Sequence, residues 1–95
     1  MRDVHYIALI HKDPEPGYGV SFPDVPGVIA VADTMDEAIA EAAAVLAIAF
    51  EDWPDEQPVP RTLEALRQDA RFQNDAEGAV VAVIRPSPKY YQAAE

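Results

Sequence analysis

The sequence has no cysteine, which excludes a disulfide framework, a thiolate nucleophile and a thiolate metal site. Cations are scarce: seven Lys and Arg stand against seventeen Asp and Glu, for a formal net charge of −10 and a pI near 4.4. Such a charge repels phosphate backbones and anionic lipid and draws in a cationic protein. It also serves solubility alone. The four glycines are dispersed, and none forms a phosphate-cradling loop or dinucleotide fingerprint. No window holds about 18 uninterrupted apolar residues, and the start, Met-Arg-Asp-Val-His-Tyr, has no positive segment before an apolar run. No membrane association is expected, and a cytoplasmic location is the default. At 95 residues the chain has room for one modest core, not for a deep cofactor cavity. No cofactor is expected.

What is present reads as a short α/β chain. Val4 to His11 (VHYIALIH) is a β-branched and aromatic run for one strand, with Val4, Tyr6, Ala8 and Ile10 on one face and His5, Ile7, Leu9 and His11 on the other. Both faces are apolar enough for a central strand. KDPEPG, from Lys12 to Gly17, has the composition of a hairpin loop, and Tyr18 to Phe22 alternates large and small as the return strand. Pro23-Asp24-Val25-Pro26-Gly27 lacks two amide donors, so it forms a shaped loop before a third strand at Val28 to Ala32.

Thr34-Met35-Asp36-Glu37 reads as a capping box, with Thr34 as N-cap and Glu37 at N3. The helix that follows carries an inward stripe of Met35, Ala38, Ile39, Ala42, Val45, Leu46, Ala49 and Trp53, and Pro54 ends it. Ala40, Ala43, Ala44 and Ala47 are placed on a smooth outer side, which reflects helix propensity alone or close approach by another helix. Asp55 to Pro60 is an extended connector. Thr62 caps a short second helix with Leu63, Leu66 and Ala70 inward, and Ala79 to Ile84 (AVVAVI) is a last buried strand. The order β-β-β-α-(α)-β gives a two-layer α/β sandwich: a three-stranded antiparallel meander plus a returning fourth strand. Residues 1–86 are assigned to this domain and 87–95 to a C-terminal tail, frayed or docked in an oligomer.

Catalytic arrangements are hard to find. His5 and His11 share a strand face about 20 Å apart, too far to hold one metal, and neither has an evident orienting acid. The strands contain no Asp or Glu, whereas a two-metal nuclease needs acids converging from strand ends. No catalytic residue and no metal ligand is assigned, and a role without enzymatic activity follows.

Tyr18, Val20, Phe22-Pro23-Asp24-Val25-Pro26-Gly27 and Asp33-Thr34-Met35-Asp36-Glu37-Ala38 together resemble the HicB-like antitoxin family, over roughly residues 4 to 84. That family shows an aromatic strand, a Phe-Pro-Asp-x-Pro-Gly turn and a Thr-x-x-Glu-Ala helix start. The resemblance implies a partial, degraded ribonuclease-H-like fold without nuclease carboxylates. It also implies a protein that binds and neutralises a small basic messenger-RNA-cleaving toxin, HicA. Many members carry a C-terminal DNA-binding domain; the eleven residues after Ile84 are too few for one, so direct DNA binding is not expected. The alternative is an orphan homo-oligomeric structural or regulatory domain.

Candidate partner-binding residues are Tyr18, Phe22, Pro23, Asp24, Pro26 and Gly27. The turn is equally readable as a well-made corner, in which Phe22 anchors the core and Gly27 permits a positive φ or a close backbone approach. Asp24 is either an exposed binding acid or an acceptor for an amide of its own turn. A homodimer is expected because the strands at Tyr18 to Phe22 and Val28 to Ala32 lack a Lys or Pro to blunt an open edge. Ala40 and Ala44 on the helix, with Tyr90 and Tyr91 in the tail, are the candidate contacts.

Overall fold

In the computed structural model, which describes residues 5–12, 14, 17–53 and 56–87, the first apolar run becomes β1 (Tyr6–Lys12). It pairs antiparallel with β2 (Tyr18–Ser21), and β2 with β3 (Ile29–Ala32). Next come α1 (Met35–Glu51), α2 (Leu63–Leu66) and α3 (Ala70–Asp75). The chain then returns as β4 (Val80–Ile84), antiparallel to β1 on its other side. The sheet order is β3-β2-β1-β4, the partial ribonuclease-H-like arrangement. β1 is central, as its two apolar faces predicted. β2 is internal, so the expectation that it forms an edge is corrected: β4 takes that place beside β1, and the open edges are β3 and β4.

The register sorts side chains onto two faces. Ala30, Val20 and Ile10 lie opposite one another in turn, and Tyr6 and Ala8 face Ile84 and Ala82. These residues pack against Ala38, Ala42 and Leu46 of α1 in the main core. Alanine at positions 38 and 42, both fully buried, lets the helix backbone lie close on the sheet, while Leu46 supplies volume worth about 1.5–3 kcal/mol of apolar burial. On the opposite face Leu9 packs with Leu66 and Phe72 in a smaller cluster, flanked by Ile7, Leu63, Ala76 and Ala79.

The helix start is as predicted: Thr34 is extended and its Oγ1 accepts from the Glu37 amide at 3.1 Å. The end comes slightly earlier, with Asp52 as C-cap and Trp53 packed beyond it, edge-on to Phe50. The predicted inward stripe needs one revision. Ile39 lies on the border of the packed side and is 40% exposed, whereas Phe50 turns in and stacks obliquely on Tyr6.

The predicted second helix is two. Thr62 Oγ1 caps α2 by accepting from the Ala65 amide. Asp69 then accepts from the Arg71 amide and starts α3. This second N-cap interrupts the helix, so Ala70 is exposed and Phe72 takes the inward position expected for it.

Candidate functional site

Two regions merit description: the corner between β2 and β3, and the acidic side of α1. The corner is built from two successive turns, Val25 N–H donating to the Phe22 carbonyl at 3.1 Å and Val28 N–H to the Val25 carbonyl at 3.3 Å. That spacing sends Phe22, Val25 and Val28 into the core and leaves Pro26 and Gly27 exposed, Pro23 half-buried. Gly27 has φ +94° with open space around its α-carbon, so conformation and not close approach calls for glycine here. Tyr18 is half-buried against the main core with the Lys12 ammonium 5.4 Å from its ring centroid.

Asp24 is neither an exposed acid nor the acceptor of an amide in its own turn. Its side chain is only 9% exposed, its Oδ2 accepts from the Arg61 backbone N–H and its Oδ1 from Arg61 Nε, each at 2.7 Å. Arg61 Nη1 also donates to Asp69 Oδ2 at 3.2 Å, while Asp69 caps α3. An acid–arginine–acid chain thus ties the β2–β3 corner to the α2–α3 segment. The bonds to Asp24, and then to Asp69, hold the Arg61 guanidinium pKa above its ordinary value. Arg61 and the Arg71 amide hold the Asp69 carboxyl below its own. Between corner and helices lies a cleft of about 370 Å³ whose lining includes Phe22, Pro23, Pro26, Arg61, Arg71 and Phe72.

Asp69 and Asp75 also line that cleft, each beside an arginine, Arg61 and Arg71 respectively. His11 Nε2 is hydrogen-bonded to the Asp75 carbonyl at 2.9 Å, a structural tie, and His5 is exposed. Among the described residues no three His, Cys, Asp or Glu converge as metal ligands, and no helix is long and apolar enough to cross a membrane.

The side of α1 away from the sheet is dominated by charge of one sign. Eleven of the seventeen acids lie between Asp13 and Pro60, a stretch without a single Lys, Arg or His. In the structure this places Asp33, Asp36, Glu37, Glu41, Glu51 and Asp52 along the helix and its ends, with Ala40 and Ile48 exposed among them. Arg61, Arg67 and Arg71 all fall on the other segment, around α2 and α3. This segregation was legible as a run without cations, a signal that total charge conceals. Ala44 departs from its predicted outward exposure: it is 1% exposed. The chain leaving β4 comes back to the helix there, with Ser87 N–H donating to the Ala43 carbonyl at 3.0 Å. Tyr90 and Tyr91 lie outside the described residues.

With this geometry in hand, similarity to known proteins is informative. The family model for the HicB-like antitoxin of bacterial toxin-antitoxin systems matches residues 6–93. The structure is similar to that of the N-terminal domain of Burkholderia pseudomallei antitoxin HicB, with 27% identity, a TM-score of 0.64, and coverage of 85% of this chain and 95% of that one. It is similar to the longer Burkholderia pseudomallei HicB, with 28% identity, a TM-score of 0.67 and 85% of this chain covered; the match spans only 61% of that protein. A chain of the HicA3 and HicB3 toxin-antitoxin complex shares the fold at 22% identity and a TM-score of 0.67, with 85% of this chain and 95% of that chain covered. No curated protein matches the sequence significantly.

Proposed function

The chain belongs to the HicB-like antitoxin family, and from that premise we propose that it binds and neutralises a small basic toxin of the HicA type in the cytoplasm, without chemistry of its own. The observation that carries this reading is the absence of any cation from residues 13–60, which leaves Asp33, Asp36, Glu37, Glu41, Glu51 and Asp52 as the charged side chains of that stretch along α1 and its ends. A cationic partner gains there from several carboxylates at once and meets no like charge, which steers encounter and fixes orientation. The same charge makes direct contact with nucleic acid unfavourable, so repression by DNA binding is no part of the proposal.

The test is titration calorimetry with a purified basic HicA-type toxin, at about 0.05 and 0.3 M salt, with RNA cleavage by that toxin as a second readout. Binding that weakens with salt, together with suppressed cleavage, supports the reading. Absence of binding at the lower salt defeats it. Reversal of Glu37 and Glu41 to Lys should weaken binding at least tenfold, and an unchanged affinity would move the interface away from α1.

We further propose that the protein is a homodimer, in keeping with its two open sheet edges. Repulsion between two protomers of charge −10 makes the dimer firmer at about 0.15 M salt than at about 0.02 M.

A further inference from the structure

We propose that the edge of β4 is the surface on which a second copy of this chain docks, so that two β4 strands pair antiparallel about a two-fold axis at Ala82 and the two sheets run on as one. This rests on the homodimer reading above and names its interface. The strand Val-Val-Ala-Val-Ile is self-complementary about its centre: with Ala82 opposite its own copy, Val80 meets Ile84 and Val81 meets Val83. Directly opposed residues share a face, so Val81 and Val83 of both copies form one four-valine ladder on the side away from α1.

Three of the five β4 side chains, Val80, Val81 and Val83, are open to solvent, although Ile84 is buried in the main core. Val83 is 60% exposed and Val80, on the α1 side, 50%. α1 packs mainly over β3 and β2 and only lightly against β4, while the α2–α3 cluster reaches only as far as Leu9 and Ala79. Neither charge nor proline interrupts Gly78 to Ile84, so the usual protections of an open edge are missing.

Charge separates this edge from the other one. α1 packs most heavily over β3, so two copies joined at that edge would set their acid-bearing helices, with Asp36, Glu37 and Glu41, side by side. At β4, Glu77 precedes the strand and Arg85 follows it, and the antiparallel two-fold sets the Glu77 end of each copy against the Arg85 end of the other.

Because the chain has no cysteine, Ala82→Cys creates its only thiol. Opposed Cα atoms in an antiparallel pair lie about 4.5–5.5 Å apart, within disulfide reach. Mild oxidation should therefore cross-link most of the A82C protein as a dimer, and V31C on β3 should stay largely uncrosslinked. By light scattering the unmodified protein should show twice the 10.4 kDa protomer mass. Val83→Lys should raise the dimer dissociation constant at least tenfold, and Val31→Lys should leave it unchanged. A dimer indifferent to V83K, with no A82C cross-link, overturns the β4 interface and leaves the homodimer standing. A monomer at every concentration overturns both. Should V83K not fold, cross-linking of A82C against V31C decides alone.

Discussion

On the α1 side of the sheet, Tyr6, Ala8 and Ile10 meet Ala38, Ala42 and Leu46, all at 2% exposure or less, whereas on the opposite side Leu9 is covered by Leu66 and Phe72 while Ile29, Val31 and Val83 remain more than half exposed. A seventeen-residue helix closes the first face in one piece. Two short helices close only the middle of the second, and the Asp24–Arg61–Asp69 chain ties them to the β2–β3 corner. The α1 face holds the larger core and its outer side gathers the acids; the other face leaves apolar side chains open to solvent.

Truncation of the core tests this comparison most strongly. Leu46→Ala should destabilise by about 4 kcal/mol, within the usual range of about 2–5, as read from urea unfolding. Leu66→Ala, equally buried but set in the smaller cluster whose helices can shift inward, should lose about 2–3 kcal/mol. Equal losses would make the two faces energetically alike and remove the distinction.

Asp24→Ala comes next. It strips the Arg61 amide and guanidinium of their acceptor, and with Arg61 itself 42% exposed and able to rehydrate, the loss should be about 1–2 kcal/mol. Faster hydrogen exchange in α2 and α3, with α1 unchanged, would locate the effect; equal acceleration in α1 would mean that the clasp stabilises the whole sheet. Thr34→Ala removes the acceptor for the Glu37 amide and should cost about 1 kcal/mol, with a thermal shift indistinguishable from zero as the contrary result.

The smallest effect is a pH dependence. The Asp69 carboxyl is held below its ordinary value of 3.8, first by Arg61 and then by the Arg71 amide. A lowered folded-state pKa gives stability that is present above the unfolded value and lost as pH falls through the folded one. Asp69→Asn keeps a capping acceptor and removes the charge. The advantage of the original protein over D69N should be constant above about pH 5 and shrink below about pH 4. An advantage unchanged down to pH 3 would show that the ion pair adds nothing beyond the cap.

Local chemistry made much of this legible beforehand. Alternation in the first strand placed Tyr6, Ala8 and Ile10 on one face, and Thr34 with Glu37 marked the helix start within a residue. The Phe22–Gly27 motif pointed to both the corner and the family. Asp69 shows where such reading falls short: as a second N-cap seven residues after Thr62, it divides a segment whose hydrophobic spacing alone suits a single helix.

The pattern of apolar, proline and capping residues determined the elements, their order and the acidic stretch from 13 to 60, because each depends on neighbours within a few positions along the chain. Only the tertiary structure decided what those residues face. It set Asp24 on Arg61, 37 positions away, brought Ser87 to the Ala43 carbonyl over Ala44's side of the helix, and placed β4 beside β1 as an open edge. These pairings depend on how the β4 return and the α2–α3 segment pack across the sheet, and periodicity within one element carries no information about a partner chosen by another.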